Sequence, residues 1–174
     1  MKARARFSVQ QLARVALLLA LTLSVQYLRL PTPVTGPLVN LMLILSTALT
    51  GAAGGAAIGL LTPWAALMLG IIPPVLAPAI PFIMAGNAIY CFCYGVLAGR
   101  IRGGPFIGVV LGSLLKFAVI AGAARYLLAL PSPAAEALLL PQLINALIGG
   151  AAALPLAHYL KRLLSEPGGR SSPR

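Results

Sequence analysis

The sequence predicts an all-α integral membrane protein of six transmembrane helices, with both termini on the cytoplasmic side. Three observations carry that prediction. Of 174 residues, 60% are hydrophobic and 9% charged, and the mean hydropathy is +0.97; a soluble domain of this size carries roughly 25% charged residues. The apolar residues fall into six runs, 11–30, 37–51, 52–72, 79–99, 105–127 and 137–160, and about 20 apolar residues suffice to cross a bilayer as a helix. The positive charges, finally, are divided unequally between the two sets of connections.

The first run follows basic residues, as a signal peptide would. It is long, has no clean small-residue cleavage site and precedes further spans, so it reads as a transmembrane helix. The second run is short and meets the third at a tight turn around Thr50-Gly51. The fourth, fifth and sixth are uninterrupted in apolar character, and none of the runs alternates polar with apolar residues as a barrel strand would. With the N-terminus inside, the cytoplasmic segments hold Lys2, Arg4, Arg6, Arg14, Arg100, Arg102, Lys161, Arg162, Arg170 and Arg174, against Arg29 and Arg125 outside. That asymmetry fixes the expected orientation. The chain then divides into a basic N-terminus (1–10), a membrane domain (11–163) and a tail (164–174) whose end, "SEPGGRSSPR", is too polar and rich in Gly, Pro and Ser to pack.

The outer connections, "RLPTPVTGP", "IIPPVLAPAIP" and "LPSPAAEALLLP", are rich in proline. Proline fixes φ and lacks an N–H, so stiff extended loops or short re-entrant pieces are expected there. Inner connections are short. The elaborated side is therefore the outer one.

The formal charge of +11 arises from 13 Lys/Arg against Glu136 and Glu166. These cations flank apolar runs and have no interleaved aromatic residues, which speaks for topogenic charge and against nucleic-acid binding. Cys91 and Cys93 point to different faces of one helix, and His158 is the single histidine, so no metal site and no cofactor is expected. No Ser-His-Asp set, carboxylate pair, phosphate-binding loop or HExxH motif occurs. Catalysis, ATP hydrolysis included, has no visible machinery in this chain.

What remains is a small set of polar residues inside apolar runs. At 1.5 Å per residue, Asn40 lies near the outer start of the second run, Asn87 and Asn145 about two turns into the fourth and sixth, and Lys116 near mid-membrane in the fifth. Asn87, Tyr90 and Tyr94 share one helix face, as do Gln142, Asn145 and Gly149, while Gly108, Gly112 and Lys116 form a stripe. Thr62 and Trp64 flank Pro63, which can free a backbone carbonyl. Each amide has a structural reading as interhelical glue, worth about 0.6–2 kcal/mol. Lys116 resists that reading, because a mid-bilayer lysine costs about 2.5–3.5 kcal/mol even on insertion scales. Its only acidic partner outside the tail, Glu136, belongs to the far outer end of the sixth run. Arg125 and Glu136 flank the last outer loop and are placed to pair with each other. Lys116 is expected to line a polar cavity.

The inner half is built of small residues: Ala13, Ala16 and Ala20 in the first run, and Gly51, Gly55 and Gly59 at four-residue spacing in "GAAGGAAIG". Such stripes serve as packing seams within a protein or docking seams between proteins.

With these residues in view, the chain resembles the substrate-binding S components of prokaryotic energy-coupling factor (ECF) vitamin transporters. The resemblance lies in "LPTPVTGPLVNLMLILSTALTGAAGGAAIGLLTPWAALMLGIIPPVLAPAIPFIMAGNAIYCFCYGVLAGR", "LGSLLKF" and "LPQLINALIGGAAALPL", and, with the first helix, covers nearly the whole chain. Ala16-Leu-Leu-Leu-Ala20 matches the family's A-x-x-x-A motif, which implies that Ala16 and Ala20 dock to a transmembrane T component. The resemblance further implies a multi-pass protein of a prokaryotic plasma membrane. Such a protein captures a vitamin-like substrate from outside and releases it inside after assembling with the T component and two ATPases. The first outer loop, Arg29 to Pro37 with Arg29, Pro31 and Thr35, would form part of a lid. Asn40, Trp64, Asn87, Tyr90, Lys116, Gln142 and Asn145 would contact substrate. Two other readings compete: a stand-alone solute carrier dimerising through the glycine seams, and a non-transporting membrane scaffold whose buried amides are structural.

Overall fold

The computed structural model describes residues 8–165. The basic residues Lys2, Arg4, Arg6, Arg170 and Arg174, Glu166 and most of the tail expected to be disordered lie outside the described residues, although Leu164 and Ser165 still belong to a helix. All the described secondary structure is helical.

Helix α1, Val9–Tyr27, starts at a capping box: the Ser8 hydroxyl accepts from the Gln11 N–H at 3.2 Å, and the Ser8 N–H donates back to Gln11 Oε1 at 3.4 Å. Its buried stripe of Val15, Thr22 and Gln26 packs on α2, while Leu17, Leu21 and the small residues Ala13, Ala16 and Ala20 stay exposed.

Helix α2, Thr32–Met68, spans both the second and the third apolar run and is interrupted at Gly51 (φ 81°, ψ 176°). That backbone conformation is essentially reserved for glycine. A Cβ added at Gly55 would strike the Thr47 side chain, though residues this far apart in an unbroken helix would be about 12 Å apart along its axis. The two limbs, 32–50 and 52–68, therefore fold back on each other at Gly51. Five helical stretches are long and apolar enough to cross a membrane, counting the two limbs of α2 as one, where the sequence predicts six.

A 3₁₀ turn, Pro74–Ala79, leads into α3, Ile80–Leu97; then follow α4, Gly104–Tyr126, the short α5, Ser132–Ala137, and α6, Leu140–Ser165. Helices α3 and α4 pack on one another, α3 packs on α2, and α6 closes the bundle between α2 and α4. The core includes Leu43, Ile44, Ile58, Tyr90, Cys91, Val109, Ala146 and Ala153. Much of the outer surface is also apolar, with Leu17, Leu60, Phe92, Leu111, Leu115 and Ile148 exposed. Lipid solvates such a surface and water does not. The chain is a multi-pass membrane protein on these grounds.

The proline-rich connections are more helical than the sequence predicts. Only Leu28, Arg29, Leu30 and Pro31 separate α1 from α2, and 32–37 of the expected lid loop are already helical. Pro33 sits in the first turn of α2, where the N–H that proline lacks has no partner in any helix. The same holds for Pro81 at the start of α3.

Of the predicted glycine seam, Gly55 faces Thr47 and Gly59 faces the Asn87 backbone, both inside the protein, whereas Gly51 forms the bend and has open space around it. Arg14, Arg100, Arg102, Lys161 and Arg162 belong to the Gly51 end of the bundle. Arg29, Arg125 and Glu136 belong to the opposite end, where, among the described residues, no ion pair joins Arg125 to Glu136.

Candidate functional site

A cavity of about 540 Å³ lies at the end of the bundle opposite Gly51, walled by α1, both limbs of α2, α3, α4, α6 and the connections at that end. Its polar lining consists of Gln26, Arg29, Thr35, Asn40, Thr62, Asn87, Lys116, Gln142 and Asn145.

Lys116 is 3% exposed. Its Nζ donates to Asn40 Oδ1 at 2.6 Å, and among the described residues it has no other acceptor. The Asn40 amide is oriented by a second bond, from its Nδ2 to the Gly36 carbonyl one turn earlier at 2.8 Å. Beneath the lysine, Nζ lies 5.5 Å from the centroid of the Tyr90 ring, within cation–π range. The ring is fixed in turn, because the fully buried Tyr90 hydroxyl donates to the Ala146 carbonyl of α6 at 2.8 Å.

Small residues bring these groups together. Gly112 on α4 abuts Tyr90, Gly149 on α6 abuts the Pro37 carbonyl and Asn40, and Gly36 on α2 abuts the Asn145 amide. At Gly112 and Gly149 a larger side chain would meet backbone and push apart the helices that carry the polar groups, and at Gly36 it would displace the Asn145 amide.

Asn87 is 4% exposed, and its Oδ1 has no hydrogen-bond partner. Its neighbour Gly86 packs against the stem of the Lys116 side chain, and Asn87 and Lys116 line the same cavity. A buried polar atom left unpaired costs about 1–3 kcal/mol, so this end of the cavity is poorly satisfied as it stands. Gln142 and Asn145, nearer the mouth, are half-buried, and their amides are bonded to no other described residue. At the rim, Arg29 adopts φ 48° and its Nη2 donates to the Gly70 carbonyl at 3.1 Å. That bond ties the α1–α2 connection to the chain that leaves α2.

Of the residues singled out from the sequence, Asn40, Asn87, Lys116, Gln142 and Asn145 meet in this cavity, and Arg29 and Thr35 line it as well. Tyr90 does not line it but lies behind Lys116. Trp64 is 53% exposed on the outer surface of α2, away from the cavity. Pro31 is exposed and outside the lining, and Ala16 and Ala20 lie exposed on α1. The sequence reading missed Gln26 and Thr62 as lining residues. The Thr62 hydroxyl donates to the Ile58 carbonyl of its own helix at 2.6 Å, an arrangement open to a threonine on any helix face. Its position beside Pro63 was the available signal.

No protein family, curated protein or solved structure matches the chain. The likeness to ECF S components is therefore carried by the quoted residues alone.

Chemically, the site offers one buried amine, several amides and an aliphatic wall. Among the described residues no carboxylate lines it, nor does any thiol or imidazole. These groups can hold a small molecule through hydrogen bonds and charge.

Proposed function

We propose that the chain is the substrate-capture subunit of an ECF-type importer, a non-enzymatic protein of a prokaryotic plasma membrane. It takes a vitamin or related micronutrient from the outer side and releases it inside after docking to a T component and two ATPases. The observation that carries this reading is Lys116, an amine almost wholly buried in an apolar bundle, facing a cavity to which none of the described residues brings a carboxylate. A purely structural lysine would be paired, or would reach the membrane surface. The cavity volume of about 540 Å³ falls within the range of about 300–1,000 Å³ typical of small-molecule sites.

The topology in this reading is six crossings with both termini inside. It is supported by the reversal at Gly51, since each limb of α2 is about 26–28 Å long at 1.5 Å per residue and so matches a hydrocarbon core of about 30 Å. It is also supported by the gathering of Arg14, Arg100, Arg102, Lys161 and Arg162 at the end away from the cavity. The cavity then opens outward. Docking through Ala16 and Ala20 is supported by their exposure on α1, which packs chiefly on α2 and leaves its small-residue face open.

Mass spectrometry of small molecules released from the purified chain tests the proposal. A compound released in stoichiometric amount is expected. A protein that releases none, and whose melting temperature no vitamin-like compound raises, would contradict substrate capture.

A further inference from the structure

The cavity also limits what it can hold. Resting on the capture reading above, we infer that the substrate is an aliphatic carboxylate carrying a hydroxyl or amide donor close to its charged end, and that it enters carboxylate first.

Three features of the lining lead there. The first is charge. Lys116 at the depth of the site and Arg29 at its rim are the ionisable residues of the lining, and both are basic. A cationic substrate would meet only repulsion there, whereas an anion supplies Lys116 with the counter-charge that its one neutral acceptor, Asn40 Oδ1, does not.

The second is the unpartnered Oδ1 of Asn87, a residue that lines the same cavity as Lys116. It is an acceptor, so it calls for a donor, and a bare carboxylate has none. A hydroxyl or amide N–H a few bonds from the carboxylate would satisfy it while the carboxylate meets Lys116.

The third is the wall. The apolar lining includes Val39, Ile71, Ile72, Leu76, Ile83 and Leu138, with no Phe, Tyr or Trp among the lining residues. Tyr90 is covered by Lys116, and Trp64 faces outward. Binding sites for flat aromatic rings usually offer a stacking partner of that kind, and this one offers branched aliphatic chains, which suit a flexible aliphatic body. Gln142 and Asn145 sit nearer the mouth, where they can bond polar groups at the substrate's trailing end.

The direction of entry follows from depth. Lys116 lies about 15 Å along α4 from the helix's cavity-side end at Tyr126, and the loops that admit the substrate are at that end.

The test is a binding panel on the full chain in lipid nanodiscs. It comprises hydroxybutyrate, N-acetyl-β-alanine, N-(hydroxybutanoyl)-β-alanine and the terminal amide of the last, together with hydroxybenzoylglycine, benzyltrimethylammonium and the compound released in the mass spectrometry above. We expect N-(hydroxybutanoyl)-β-alanine to bind and its terminal amide to bind about 30-fold more weakly or worse, the loss typical when one partner of a buried charge pair is removed. The released compound is expected to be an aliphatic carboxylate. In Lys116→Met the carboxylate and its amide should bind alike, and because that comparison is made within one protein, a general loss of folding does not mimic it. Tighter binding of hydroxybenzoylglycine or benzyltrimethylammonium, or equal binding of carboxylate and amide by the wild type, would overturn this inference and leave capture standing. Failure of every compound, with nothing released, would instead overturn capture itself.

Discussion

Lys116 Nζ on α4 and Asn40 Oδ1 on α2 are joined by a 2.6 Å hydrogen bond that spans 76 positions of sequence and is buried inside an apolar bundle. The two residues depend on each other unequally. Removing the amide leaves a buried amine with no acceptor, and removing the amine leaves a neutral amide that keeps its second bond to Gly36. Asn40→Leu should therefore destabilise the protein by about 2–4 kcal/mol, and Lys116→Met should change stability by about 1 kcal/mol or less in either direction. Thermal unfolding of the single and double variants would show a coupling of about 1.5 kcal/mol or more, above the average of about 0.6 for hydrogen bonds in membrane proteins. A coupling near zero would mean that the contact is incidental.

Tyr90 supports the lysine from below and is held by Ala146. Tyr90→Phe retains the ring and loses the hydroxyl, at a cost of about 0.5–1.5 kcal/mol in stability and little substrate affinity. Tyr90→Leu should weaken substrate binding as well, because the face beneath Nζ is gone. Binding assays on the two variants separate the roles of ring and hydroxyl.

At Gly51 the strain lies in the backbone. Gly51→Ala places a Cβ in open space but at φ 81° and ψ 176°, which should cost about 1–3 kcal/mol. At Gly149 the backbone is ordinary and the neighbours are close, so Gly149→Ala should cost about 1–3 kcal/mol through displacement of α6 from Pro37 and Asn40. The two variants differ in their effect on function. Gly149→Ala moves a wall of the cavity and should lower substrate affinity, while Gly51→Ala, at the far end, should not.

Orientation is open to cysteine labelling once Cys91 and Cys93 have been replaced. Ala53→Cys, exposed near the bend, should react with a membrane-impermeant reagent only from the cytoplasmic side, and Glu136→Cys, exposed near the cavity mouth, only from outside. Labelling of both from the same side would contradict the six-crossing topology.

The deep polar residues were legible in the sequence because lipid leaves them little choice. An asparagine or lysine in an apolar helix must turn inward to find a partner, so Asn40, Asn87, Lys116 and Asn145 could be assigned to one interior from depth alone. Aromatic residues carry no such constraint. Trp64 is stable against lipid and Tyr90 is stable in the core, and sequence did not separate those outcomes. For a related reason the sequence predicts stiff extended loops or short re-entrant pieces in the proline-rich connections. Proline ends helices and also begins them, and Pro33 and Pro81 do the latter. The break at Gly51 lies at the turn read around Thr50-Gly51, and its left-handed backbone explains why a glycine stands there.

The central claim is that Lys116 meets an electronegative group of a captured solute. Its most direct test is equilibrium binding of the compound released from the wild-type protein, measured for wild type and Lys116→Met in nanodiscs, with the melting temperature of each recorded. The account predicts affinity lower by about 30-fold or more in the variant, with the fold intact. Equal affinity in two folded proteins would contradict it.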